Sequence, residues 1–147
     1  MMKRLFDLLL SIFSTIILSP IIVIVSILIF IEDRSSPIYI ANRVGKHGKL
    51  FKMIKFRTMI IDAEKTGVVS TKSGDSRITN LGHIIRQYKL DEIPQLWNVF
   101  VGQMTFVGPR PNVKVETDLY SIEEREILNI CPGITDFSSI IFSNEGE

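Results

Sequence analysis

The chain has 147 residues and a formal net charge of +1, from 17 basic and 16 acidic side chains. That length allows one compact domain plus an appendage, and so even a charge balance gives no global basic field for nucleic acid. The single cysteine, Cys131, excludes a disulfide framework within the chain and agrees with a reducing compartment. It stands before Pro132-Gly133 with nothing nearby to activate it, so it reads as a packing residue rather than a nucleophile.

The N-terminus opens Met1-Met2-Lys3-Arg4 and then runs from Leu5 to Ile31 with Asp7 as its only charge. As a straight helix this run would extend roughly 40 Å, against an apolar bilayer core of about 30 Å. It is too long for a signal peptide and no small-residue cleavage site comes after it. It is also apolar on every face, which argues against a buried core helix. Ser19-Pro20 lies near its middle, where proline removes a backbone hydrogen bond. Basic residues flank both ends: Lys3 and Arg4 before it, then Arg34 and a cluster of six Lys or Arg from Arg43 to Arg57. A spanning helix would place one basic flank outside, whereas a bent helix entering and leaving by one leaflet satisfies both. Glu32 and Asp33 soften that contrast, and these residues alone leave both topologies open.

Pro37 to Ile40 reads as a short strand, followed by a turn-rich basic loop from Asn42 to Lys49. Leu50 to Arg57 alternates apolar and basic residues, the period of a half-buried strand. Its polar face would turn Lys52, Lys55 and Arg57 toward phosphates or lipid headgroups, or simply toward water. His47 has no second ligand nearby and is not a metal candidate. Asp62 to Asp75 is polar and glycine-bearing and is expected to be a mobile loop. Thr79 is a fair N-cap for a helix over about Asn80 to Tyr88, with Leu81, Ile84, Ile85 and Tyr88 on one face and Arg86 near its end. A further helix is expected from Ser121, with Glu124 three residues on, to Ile130, stopped by Pro132-Gly133. No internal repeat, P-loop, dinucleotide-binding glycine motif or zinc-ligand spacing is present.

The stretch Lys89-Leu90-Asp91-Glu92-Ile93-Pro94-Gln95-Leu96-Trp97-Asn98-Val99 carries the chemistry. Two adjacent carboxylates open a short helix, Pro94 fits its first turn, and Leu96, Val99 and Phe100 recur at helical spacing. Carboxylates there sit at the positive end of the helix dipole, which is expected to keep them ionised. An ionised Asp91 can act as a nucleophile or hold a hard cation, and Glu92 can share the ion. Downstream, Gly108-Pro109-Arg110-Pro111 is a stiff turn that fixes one guanidinium, a group that pairs with phosphate in bidentate fashion. Taken singly, such a dyad is more often an ordinary capped surface helix followed by a proline-rich loop.

The order of motifs resembles a known family. It runs from an apolar segment with Ser19-Pro20 to Lys55-Phe56-Arg57-Thr58-Met59. Then come Leu90 to Val99, Gly108-Pro109-Arg110-Pro111 and Pro132-Gly133-Ile134-Thr135. This order resembles the bacterial sugar transferases that are monotopic polyprenyl-phosphate phosphoglycosyl transferases, of the small type with a catalytic domain alone, over nearly the whole chain.

The resemblance implies an α+β, mostly helical fold. Residues 1–33 form an N-terminal re-entrant membrane helix-break-helix, and residues 34–147 a small cytosol-facing catalytic domain with short strands and amphipathic membrane-surface helices. It implies location at the bacterial inner membrane with the domain on the cytoplasmic face, and the break at Ser19 and Pro20. It implies transfer of a phosphosugar from a UDP-sugar to polyprenyl (undecaprenyl) phosphate, with UMP released. It implies that Asp91 is the nucleophile and Glu92 its partner, and that both hold Mg²⁺, the family's cofactor. Arg110, Arg86, Lys55 and Arg57 are the candidate phosphate-binding residues. Membrane lipids are partners, nucleic acid is not, and self-association is allowed. Such a reaction is the first membrane step in building a capsule, O-antigen, exopolysaccharide or glycoprotein glycan.

Two departures stand out. Gln103 replaces the acid usual before Met104, and Asp136-Phe137 replaces the common Gly-Trp. Comparable members also continue well past Thr135, so a truncated chain, and with it a catalytically weak binding or scaffold protein of the same fold, is the alternative reading. An aspartyl-phosphate phosphatase is disfavoured, because no Asp-x-Asp motif sits behind a strand.

Overall fold

The computed structural model describes residues 2–63 and 75–136. It is a mixed helix and strand fold. Most of the expected loop from Asp62 to Asp75, and Phe137 with the residues after it, lie outside the described residues.

Helix α1 runs from Met2 to Asp33 and includes Pro20. It is the one described helix long and apolar enough to cross a membrane, and most of its large apolar side chains are exposed. A core helix would bury them, so the sequence argument against a buried helix holds. Helical conformation continues through Ser19 and Pro20; only the hydrogen-bond ladder is interrupted. Proline has no N–H to offer the carbonyl four residues back, and the Ser19 hydroxyl supplies the missing donor, bonding Ile16 O at 2.7 Å.

After α1, strands β1 (Ile38–Val44) and β2 (Leu50–Phe56) form an antiparallel hairpin, in register from Ile38 opposite Phe56 to Val44 opposite Leu50. The strand therefore extends through Val44, further than the basic residues suggested, because cross-strand pairing overrides their turn tendency. The loop contracts to a single 3-10 turn, Lys46–Gly48. Helix α2 (Asn80–Gln87) begins as expected, with Thr79 Oγ1 accepting from Gly82 N at 2.9 Å. Its expected apolar face is only partly used, since Ile85 is buried while Ile84 and Tyr88 are exposed.

The carboxylate stretch is a 3-10 segment, Leu90–Gln95, that passes into α3 (Leu96–Phe100). Strand β3 (Thr105–Val107) pairs in parallel with β4 (Gly133–Thr135), between which lie α4 (Lys114–Asp118) and a 3-10 segment, Glu124–Asn129. The sequence reading missed β3, α4 and β4. It found the Ser121 cap correctly, with Ser121 N donating to Glu124 Oε2 at 2.8 Å and Glu124 N donating to Ser121 Oγ at 3.2 Å. The segment that this capping box opens is 3-10 rather than α-helix.

Two apolar clusters flank the hairpin. One gathers Ala41, Phe51, Met53, Val99 and Met104; the other gathers Val25 and Ile29 of α1 with Phe56 and Ile85. Strand β2 contributes to both, and Leu90 and Ile93 pack against the second. The carboxylates are thus carried by a segment packed on the second cluster and continuing into α3, whose Val99 belongs to the first, the kind of support that fixes a side chain's direction.

Candidate active site

Alternation along β2 places Lys55 on the same face as Phe51 and Met53, turned toward the 3-10 segment. Its Nζ lies 2.9 Å from Glu92 Oε1 and 3.5 Å from Asp91 Oδ2. Arg110 Nη2 reaches the same Glu92 oxygen at 3.0 Å. The segment starts at Lys89 in the left-handed conformation, φ 53°, which turns the chain sharply out of α2 and presents both acids together.

The two carboxylates differ in electrostatics. Burial pushes the Asp91 pKa up, and the opposing pull of Lys55 does not fully compensate, with Glu92 adding to the rise. Burial acts upward on Glu92 as well, but Lys55 and Arg110 together outweigh it and hold Glu92 below its usual value. The direction of each shift follows burial and neighbouring charge, and a short 3-10 turn adds little of the dipole effect expected from a helix start.

Arg110 sits on a turn fixed by a tight backbone crossing. Gly108 N donates to Thr135 O at 3.0 Å and Gly133 N to Pro109 O at 2.9 Å. A Cβ on either glycine would collide with the backbone of the other strand's segment, so only glycine allows the approach. The two motifs, Gly108 to Pro111 and Pro132 to Thr135, are thereby one structural unit. Arg86 donates through Nε to Thr58 Oγ1 at 2.8 Å and lines the same cleft as Asp91. Arg57 also lines that cleft, but its guanidinium is tied to Asp33 Oδ1 at the end of α1 at 2.5 Å. All six proposed site residues are therefore brought to one region, with Arg57 turned to a structural partner.

The cleft has a volume of about 1450 Å³ and extends from Asp91 to Ser14 and Leu18 on α1. For Mg²⁺ the donor set fits: the ion is commonly held by one or two carboxylates with substrate phosphates and water completing its shell. Asp91 and Glu92 are adjacent carboxylates of this kind, and among the described residues no group of three His, Cys, Asp or Glu offers a fuller cage.

Two polar residues were missed as determinants of the site. Asn98 is buried; its Oδ1 accepts from Ile54 N at 3.0 Å, and its Nδ2 donates to Lys52 O at 2.7 Å and Gln103 Oε1 at 2.8 Å. It ties α3 to β2, and so the acids to Lys55. Gln103 supplies an acceptor oxygen there, which an acid would also supply. Asp7, the lone charge of the apolar run, accepts from Thr105 Oγ1 at 2.8 Å and Phe106 N at 3.4 Å. A charge inside an apolar segment was the available signal for Asp7; nothing in the local sequence marked Asn98.

The fold is mixed, with one long apolar helix beside a cleft that gathers two adjacent acids and several cations. The family model for bacterial sugar transferases matches residues 1–146, and the chain belongs to that family. It is 44% identical over 121 residues to a Bacillus subtilis protein that carries the provisional name undecaprenyl-phosphate N-acetylgalactosaminyl 1-phosphate transferase, covering 82% of this chain and 68% of that one. It is 35% identical to the undecaprenyl-phosphate galactose phosphotransferase of Salmonella typhimurium, over 98% of this chain and 33% of that protein. It is also 35% identical to the exopolysaccharide production protein ExoY of Sinorhizobium fredii, over 97% of this chain and 70% of that one. The chain thus spans about two thirds of the shorter relatives and about one third of the longer.

Proposed function

We propose that the chain transfers a phosphosugar from a UDP-sugar to undecaprenyl phosphate in two covalent steps. The observation that carries this is Asp91 beside Glu92, Lys55 and Arg110 in a cleft that reaches α1. Asp91 Oδ attacks the sugar-bearing phosphorus, the bond to the UMP oxygen breaks, and UMP leaves. An oxygen of the lipid phosphate then attacks the aspartyl-phosphosugar and returns Asp91 as a carboxylate. Lys55 and Arg110 bind the phosphate oxygens, and Arg86 adds a third cation on the Asp91 side. Mg²⁺ held by Asp91 and Glu92 would neutralise phosphate charge that otherwise repels the attacking carboxylate. The raised Asp91 pKa is suited to this role, because a buried, weakly solvated carboxylate is the more reactive nucleophile.

The same reading makes α1 re-entrant at the cytoplasmic face of the inner membrane. Both of its ends are fastened to one globular body. Arg4 donates to Val99 O and Phe100 O, each at 2.6 Å, and Lys3 Nζ donates to Val107 O at 3.2 Å. At the other end Asp33 pairs with Arg57, and Glu32 Oε1 accepts from Leu81 N at 3.3 Å. A domain on one side of a bilayer cannot hold both ends of a helix that crosses it. Val115, Leu119 and Ile122 are exposed apolar side chains that suit contact with the membrane surface.

The test is incubation of the membrane protein with UDP-sugars, Mg²⁺ and undecaprenyl phosphate while UMP is assayed. UMP release that requires a UDP-sugar and is lost on chelation supports the proposal; no release from any UDP-sugar refutes it and favours a binding role.

A further inference from the structure

Beside the large cleft lies a second, smaller pocket of about 140 Å³, and the two share a wall that includes Met53, Lys55, Glu92, Arg110, Val113 and Ile134. Asp91 lines only the large cleft, while Gln95, Asn112 and Glu116 line only the small one. Gln95 is 2% exposed, yet its amide has no hydrogen-bond partner among the described residues. No buried side-chain polar atom among those residues is both sealed from solvent and unpaired. The Gln95 amide therefore retains access through the pocket it lines, where it presents both a donor and an acceptor.

The stereochemistry of the proposed reaction assigns the two spaces. In each step the attacking and leaving oxygens lie roughly in line through phosphorus. UMP departs opposite Asp91, and the lipid phosphate must enter from the position UMP vacates. These two groups therefore use one subsite in turn. It has to open toward the membrane helix, as the large cleft does at Ser14 and Leu18. The sugar is bonded to an equatorial oxygen, off that axis, and stays attached through both steps. It needs a separate pocket that contacts the phosphate ligands without contacting the nucleophile. The small pocket has that placement, with room for roughly ten water-sized groups, about a hexose ring with its hydroxyls.

We propose that the pocket lined by Gln95, Asn112 and Glu116 holds the sugar ring through both half-reactions. The Gln95 amide binds ring hydroxyls from its floor, and the Glu116 carboxylate reads hydroxyl configuration at its rim. This rests on the phosphoglycosyl transfer proposed above.

Gln95→Met keeps side-chain length and removes the amide, and Glu116→Ala changes an exposed residue on α4 that supports no core. Two probes are compared: UMP, measured as an inhibitor, and the UDP-sugar that gives the fastest UMP release. For Gln95→Met the KM for UDP-sugar should rise about tenfold, the scale of one lost hydrogen bond to a buried partner, with the UMP inhibition constant unchanged. For Glu116→Ala the ranking of UDP-sugars that differ in one hydroxyl configuration should change, again without effect on UMP. If both variants weaken UMP and UDP-sugar equally, the pocket holds the nucleotide and the assignment is wrong. It is equally wrong if neither variant alters either probe. If Gln95→Met fails to fold, Glu116→Ala decides by the same comparison. Wild-type protein that releases no UMP from any UDP-sugar would overturn the parent reaction, an outcome distinct from the others.

Discussion

Two polar clusters adjoin α3 and the 3-10 segment before it, and they are finished differently. Around Asp7 and Asn98 every group finds a partner: Asp7 takes the Thr105 hydroxyl and the Phe106 amide, and Asn98 makes three hydrogen bonds. Around Asp91 and Glu92 the cations are shared and the space is open. Lys55 and Arg110 converge on one Glu92 oxygen, Asp91 is held only at 3.5 Å, and a cleft adjoins it. A completed network fixes geometry and has nothing left to offer a ligand. An incomplete one leaves donors of Lys55 and Arg110 open to an anionic ligand, and that contrast is what the proposed chemistry uses.

The sharpest break is Asp91→Asn. It removes the proposed nucleophile while leaving packing intact, so UMP release should fall by about a thousandfold or more, with the thermal unfolding midpoint little changed. Retained turnover would remove Asp91 from the mechanism. Next is Arg110→Lys, which keeps the charge and loses the planar fork; a loss of about tenfold or more in kcat/KM is expected, and wild-type kinetics would show that fixed geometry is unimportant there.

The scaffold side should respond in the opposite sense. Asp7→Ala leaves the Thr105 hydroxyl and Phe106 amide without their acceptor and should cost about 1–3 kcal/mol of stability, read by denaturant unfolding in detergent. An unchanged midpoint would mean that the α1 latch is not structural. Topology tests the same latch. A cysteine at position 3 or position 34, in a Cys131→Ser background, should resist an impermeant thiol reagent in intact cells. External labelling at position 3 would establish that α1 spans.

The subtlest effect is on pH. The proposed nucleophile acts as carboxylate, so the rate should fall as pH drops through the Asp91 pKa, which burial raises above its usual value. Lys55 pulls the value down, so Lys55→Met should shift the acid limb of UMP release to still higher pH. A shift to lower pH would reverse the assigned role of Lys55.

The sequence by itself determined the local features, because each is a property of a short stretch. The apolar run, the alternation of β2, the Thr79 cap, the Ser121 capping box and the adjacency of Asp91 to Glu92 are all of this kind. It also carried the family resemblance through the order of five motifs. Tertiary structure decided what depends on contacts distant in sequence. It bonded the Ser19-Pro20 pair without ending the helix, extended β1 through basic residues, and turned Ile84 and Tyr88 to the surface. It paired Gly108 with Gly133 to aim Arg110, and gave Asp7 and Asn98 their partners. It also split the dyad electrostatically, since a pKa reports the whole surroundings of a group, and burial with Lys55 and Arg110 outweighs anything Asp91 and Glu92 could derive from their own short turn.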